Sequence, residues 1–244
     1  FMPPKVKITK NDIIEATLEL IRKNGQDSIN ARSIAGALNC STQPIFSNFS
    51  SMEELDSEVI SLAYQHYLGF IEEEIKSILG EYIYGEDEDS LESVVSKLMI
   101  NKKLNIGVAE SCTGGMIAST LISYPGISEV FNEGAVTYSN EAKIRRLGVK
   151  EETLEKFGAI SFEVAKEMCE GIAKTSQSNI GVSTTGIAGP SGGTEEKPVG
   201  LVYIGVTINN RTIVEKHIFK GSRERIRRRA TLTAINLLRK ELLK

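Results

Sequence analysis

The stretch IGVAESCTGG, residues 106–115, decides how this chain is read. Its first half is an apolar run and its second a tight polar turn closed by two glycines. MIASTLI (116–122) follows with the character of a helix. A strand that enters a helix through small residues aims backbone N–H groups at one spot, which suits an anion or an oxyanion. Glu110, Ser111, Cys112 and Thr113 give that turn an unusual density of nucleophile-capable side chains. Serine and threonine are also the commonest helix caps, so the turn taken alone reads first as a plain helix start. Its company along the chain changes the balance.

Downstream the pattern alternates. Strands are expected at 104–109, 134–138, 180–184, 201–208 and 212–219, and helices at 115–122, 140–147, 162–174 and 222–244. Such alternation predicts an α/β fold, a mixed sheet with flanking helices. Ligands in such folds sit at the carboxyl ends of strands. Three chemically loaded turns fall there: AESCTGG (109–115), TYSNEAK (137–143) and TTGIAGPSGG (184–193).

Together these turns hold the parts of an amide hydrolase. Ser111 is a candidate nucleophile that needs a base, because a free hydroxyl is weak at neutral pH. The two histidines, His66 and His217, are far from every loaded turn. A lysine of lowered pKa is the natural substitute, and Lys143 is the best placed, with Tyr138 able to relay or orient a proton. The 184–193 turn offers small residues and free N–H groups for a carboxamide, a ribose or a phosphate. Arg223 and Arg227, four apart on one predicted helix face, suit a phosphate. Cys112 is a rival nucleophile, since a thiolate attacks better than an alcohol.

The amino-terminal part is different. Residues 11–23, 30–38, 43–48 and 51–76 read as helices, with Thr9 or Asn11 capping the first, Asn24-Gly25 ending it and Ser41 capping the third. Helix, turn, short helix is the geometry of a helix-turn-helix unit. Residues 71–90 form an acidic stretch around Gly80 and Gly85 that reads as a joining segment, and Ser90 with Glu92 opens a further amphipathic helix. The domains expected are therefore 1–70, the joining segment 71–90, and 91–244.

Composition narrows the classes. The chain has 244 residues, 41% hydrophobic content and a net charge of −3, enough for real cores and poorly suited to coating nucleic acid or an anionic membrane. Residues 1–70 carry six Lys/Arg (with Lys5 and Lys7 among them) against eight Asp/Glu, 6 − 8 = −2, a weak footprint for phosphate contacts. No run approaches a membrane span and no signal peptide opens the chain; Phe1 before Met2 reads as a cloning remnant. Cys40, Cys112 and Cys169, odd in number and widely spaced, fit reduced thiols in a cytoplasmic protein.

Two resemblances follow from these residues. IIEATLELIRKNGQDSINARSIAGALNCSTQPIFSNFSSMEEL (13–55) is similar to the DNA-binding domain of TetR-family regulators over residues 8–64. That likeness implies double-stranded DNA as a partner, with Ser41, Thr42, Gln43, Ser47 and Asn48 facing it and Arg32 near its backbone. Met52 stands where the family often has lysine, and Phe46 and Asn48 stand where it has tyrosine and histidine. The all-helical ligand-binding domain of that family has no counterpart after residue 80.

The second resemblance covers residues 75–244. EYIYGEDEDSLE, AESCTGGMIAS, PGISEVFNEGAVTYSNEAK, LGV, GAISFEVAKEM, TGIAGPSGG and KPVGLVYIG resemble the CinA carboxy-terminal domain family, the nicotinamide-nucleotide amidases. It implies hydrolysis of nicotinamide mononucleotide (NMN) to nicotinic acid mononucleotide and ammonia, by a Ser–Lys mechanism without metal or other cofactor. Ser111 would attack, Lys143 would serve as base and then acid, Tyr138 would assist, and Thr185 with the 112–115 N–H groups would hold the amide or its oxyanion. Glu110, Cys112, Thr113, Gly114, Gly115, Thr184, Gly186 and Gly189 would line the substrate site, with Arg223 and Arg227 on the phosphate. TetR-like units work as dimers, and a second domain that oligomerises would supply their spacing, so a homo-oligomer, a dimer or higher, is expected, with no membrane partner. In full-length CinA-type proteins a different α/β domain precedes this one. The alternative reading is a TetR-like regulator whose second domain senses a pyridine nucleotide.

Overall fold

A computed structural model describes residues 8–244; Lys5, Lys7 and the Phe1–Met2 reading lie outside the described residues. The chain divides into two compact units between Tyr82 and Ile83.

The first unit is helical. Helix α1 (Lys10–Asn24) starts at Thr9, whose hydroxyl accepts the Asp12 N–H while the Asp12 carboxylate takes the Thr9 N–H. Helix α2 (Ala31–Ala37) is capped the same way by Asn30 and Ser33. Helix α3 (Gln43–Asn48) starts from Thr42 rather than from a capping Ser41, without a side-chain cap bond, and has Pro44 in its first turn. Proline there has no N–H to leave unsatisfied. Helix α4 (Met52–Leu79) is 28 residues long. Ile13, Ile34, Ile45, Phe49, Leu55 and Val59 form the core.

The acidic stretch is not uniform. Residues 71–79 are the last turns of α4, where Glu72 pairs with Lys76 one turn on. Glutamates are good helix formers, and here acidity does not mark a loop. A 3₁₀ turn (Gly80–Tyr82) follows.

The second unit is a five-stranded mixed sheet. Helix α5 (Leu91–Lys102) leads to β1 (Ile106–Glu110), α6 (Met116–Ile122), β2 (Phe131–Val136), α7 (Asn140–Leu147), α8 (Glu151–Phe157), α9 (Phe162–Thr175), β3 (Ile180–Gly186), β4 (Leu201–Ile208), β5 (Arg211–Ile218) and α10 (Arg223–Leu242). Strand order is β2-β1-β3-β4-β5, with β1 parallel to β2 and β3 and the other pairings antiparallel. The expected fold, a mixed sheet with flanking helices, is observed. Helix α8 was not foreseen; EETLEKF is a seven-residue turn of helix, too short for periodicity to declare.

The faces follow from side-chain alternation. Ile106 and Val108 point to the side of α5, α6 and α10, where the larger core lies. Gly107 and Ala109 point to α9. A Cβ on Gly107 would meet the Ser176 hydroxyl and the Ile172 side chain, one on Gly181 the Cys169 carbonyl, and one on Gly205 the Ser183 hydroxyl and the Ala165 carbonyl. Adjacent glycines on neighbouring strands thus let α9 lie directly on the sheet. The sheet ends that carry the loaded turns, after Glu110, Val136 and Gly186, all lie on one edge of the fold.

Candidate active site

The 111–115 turn is held from several sides. Glu110 ends β1 buried at 1% exposure, and its carboxylate accepts the N–H groups of Gly115, Ile117 and Ala118. A buried anion thereby caps α6 at its positive end. Ser111 N–H donates to the Thr184 carbonyl, and the hydroxyls of Thr113 and Thr184 are 2.7 Å apart. The Arg227 guanidinium donates to the carbonyls of Cys112 (3.1 Å) and Thr113 (2.7 Å).

Lys143 enters from the first turn of α7, whose start is fixed by the Ser139 hydroxyl accepting the Ala142 N–H. It is among the largest fully buried side chains of the chain, 1% exposed. Its Nζ lies 3.4 Å from Ser111 Oγ, 2.9 Å from the Thr137 carbonyl and 3.1 Å from the Tyr138 carbonyl. Burial drives its pKa below the ordinary 10.5, opposed by the nearby Cys112 and Glu141. A neutral amine has two N–H donors and one lone pair. With the two carbonyls taking the donors, the lone pair is left for the Ser111 hydroxyl.

Ser111 and Lys143 face a cavity of about 190 Å³ that is also lined by Cys112, Tyr138, Ala159, Ile160, Thr185, Gly186, Ala188 and Arg223. The structure thus brings together residues from all three loaded turns and the start of α10. Larger hollows of about 710, 600 and 310 Å³ are lined by α7 and α9, by α9 with the far end of β4, and by residues 100–105 with Glu129 and Val130; none of them is lined by Ser111 or Lys143.

The remaining expected residues divide. Tyr138 is exposed and stands at the mouth, while its backbone, not its phenol, touches Lys143. The Thr185 hydroxyl donates to the Ala159 carbonyl at 2.7 Å, so it can offer only a lone pair to the cavity. Glu110, Thr113, Gly114, Gly115, Thr184 and Gly189 support the site without lining it. Gly189 receives Arg223 Nη1 on its carbonyl at 2.8 Å, which ties the 184–193 loop to α10. Cys112 lines the cavity, but burial pushes its thiol up to about 11, against a role as attacking thiolate. Ala159 and Ile160 were not singled out from the sequence, since small apolar residues before a helix carry no chemical signature. Among the described residues no three metal-ligating side chains are gathered.

In the helical unit Arg32, Ser41, Gln43 and Ser47 are exposed. Ser47 donates to the Gln43 carbonyl and Asn48 to the Pro44 carbonyl, both within α3.

The family model for the CinA C-terminal domain matches residues 88–242. A competence-damage inducible protein of Clostridium perfringens is 62% identical over 172 residues, 70% of this chain and 42% of that protein. Its counterpart in Clostridium kluyveri is 44% identical over 248 residues, covering 100% of this chain and 60% of its own length. The chain thus spans roughly half the length of these relatives. Among solved structures, a CinA superfamily protein of Klebsiella pneumoniae matches with a TM-score of 0.61 at 31% identity, covering 63% of this chain and 96% of its own. A competence/damage inducible protein of Agrobacterium tumefaciens matches with a TM-score of 0.60 at 37% identity, covering 66% and 100% respectively. No helix among the described residues is long and apolar enough to cross a membrane.

Proposed function

The chain belongs to the CinA C-terminal domain family, and from that premise we propose that its second unit hydrolyses the carboxamide of NMN to nicotinic acid mononucleotide and ammonia. The observation that carries this reading is the buried Lys143 amine, 3.4 Å from Ser111 Oγ, with two backbone carbonyls on its remaining donors. Ser111 Oγ attacks the carboxamide carbon as its proton passes to Lys143. The C–N bond then breaks, with Lys143 returning the proton to the departing nitrogen as ammonia. Water, deprotonated by the same amine, attacks the acyl-Ser111 ester and releases the acid. The small apolar walls at Ala159, Ile160 and Ala188 suit a flat ring.

A cavity of about 190 Å³ is smaller than the ~300–1,000 Å³ usual for whole-ligand sites. It accommodates the reacting headgroup, with ribose and phosphate running outward past Arg223. The test is ammonia and acid formation from millimolar NMN by the wild type and Ser111→Ala in parallel; turnover in the wild type alone is expected, and equal release by both would overturn the reading.

A second reading concerns the first unit alone. The TetR-like pattern and the exposed Gln43, Phe46 and Ser47 on α3 favour docking of that helix in a DNA groove. In the alternative form of this reading, the second unit senses a pyridine nucleotide for it. Lys10, at the head of α1, is engaged by Glu58 at 2.7 Å, which draws its charge away from a phosphate. Specific retardation of genomic fragments that survives moderate salt is expected; retardation lost uniformly with salt would count against it.

A further inference from the structure

Resting on the amidase reading, we infer that Arg227 is a positioning residue that sets the oxyanion site by gripping the back of the 111–115 turn, and that it does not hold the substrate phosphate. Its guanidinium spends Nε on the Cys112 carbonyl and Nη2 on the Thr113 carbonyl. Two successive carbonyls in one planar fork is an arrangement that an ammonium cannot reproduce. Gly114, with φ of +62°, lies directly beneath it, and a Cβ there would sit 3.1 Å from Nη2.

In a planar trans peptide the C=O and the N–H point in opposite directions. Turning the 112 and 113 carbonyls toward Arg227 therefore turns the Thr113 and Gly114 N–H groups away from it. Cys112, the residue at the head of that segment, is part of the cavity lining. Glu110 already consumes the Gly115, Ile117 and Ala118 N–H groups. With the Ser111 N–H on the Thr184 carbonyl, the N–H groups that remain for a developing oxyanion are those of the segment that begins at the cavity wall with Cys112, the segment whose carbonyls Arg227 holds. Arg227 is absent from the cavity wall, whereas Arg223, one turn earlier on α10, is part of it. The two arginines are separated in role: Arg223 at the substrate, Arg227 behind the turn.

The experiment compares Arg227→Met, Arg227→Lys and Arg223→Met, using NMN and its phosphate-free riboside as substrates and iodoacetamide as a probe of Cys112, located by peptide mass mapping. For Arg227→Met a fall in kcat of about 100-fold is expected, on the scale of losing an oxyanion donor. KM should change little and the loss should be equal for both substrates. Arg227→Lys should recover little of it. Arg223→Met should raise KM for NMN and leave KM for the riboside alone. Released from its grip, the turn should let Cys112 alkylate at least about tenfold faster in Arg227→Met than in the wild type, by the scale of a lost charge-assisted bond. A selective rise in KM for NMN in Arg227→Met, with kcat kept, would overturn the inference and return Arg227 to the phosphate. If the wild type turns over neither substrate, the amidase reading fails. Unchanged Cys112 alkylation would then overturn the grip as well, and faster alkylation would uphold it as a property of the turn.

Discussion

Lys143→Met is expected to lower kcat/KM for NMN by a thousandfold or more, about 4 kcal/mol of transition-state stabilisation. The substitution keeps an unbranched chain in the buried channel and removes the only amine within reach of Ser111 Oγ among the described residues. Both the attack and the departure of ammonia lose their proton carrier, so no partial function remains to compensate. Lys143→Arg should be equally inactive, because a guanidinium does not deprotonate in a protein. The pH dependence follows from the same group. Burial lowers the folded pKa of Lys143 below 10.5, and the neutral amine is the active form. Activity should therefore be lost as pH falls below that folded pKa and reach its plateau above it, at a pH lower than a solvated lysine would allow. A wild-type profile that falls as pH rises through this region would contradict the assignment.

Glu110→Ala should be the most damaging substitution for the fold of the second unit. The buried carboxylate satisfies three N–H groups at the head of α6, and alanine strands all three beside a space the carboxylate filled. Buried donors left unmatched cost about 1–3 kcal/mol each, less whatever water recovers, so a net loss of roughly 3–5 kcal/mol is expected. It should be read as a fall in the denaturation midpoint followed on the second unit. Glu110→Gln keeps the size and one acceptor oxygen, and should fall between the two. An unchanged midpoint for Glu110→Ala would mean that α6 is capped by something other than this side chain.

Much of the candidate site was legible because the residues that meet at its cavity lie in short local turns. Ser111 and Lys143 sit in turns whose composition departs from ordinary helix caps, and strand ends in α/β folds gather such turns on one edge. Residue types alone do not say which side of a turn an arginine reaches. Arg223 and Arg227 share a helix face and a charge, yet one meets the cavity and the other the carbonyls behind it. Glu110 shows the same limit. Its place in a loaded turn suggested substrate contact, while its burial and three N–H partners make it a cap. Thr185 likewise directs its hydroxyl hydrogen into the scaffold at Ala159, a partner 26 residues away that no local pattern encodes. In the helical unit, apolar spacing and capping residues declared the helices. The acidic run at 71–79 misled because glutamates on an exposed helix and in a linker look alike in sequence.

Whether Ser111 is the nucleophile is read most directly from the intact mass of the protein quenched during NMN turnover, with peptide mapping of any adduct, run beside Ser111→Ala and Cys112→Ala. The nucleotide acyl group is expected as an ester on Ser111, present in wild type and Cys112→Ala and absent from Ser111→Ala, which also forms no acid. Acid formation that persists in Ser111→Ala, with the acyl group carried on Cys112, would contradict it.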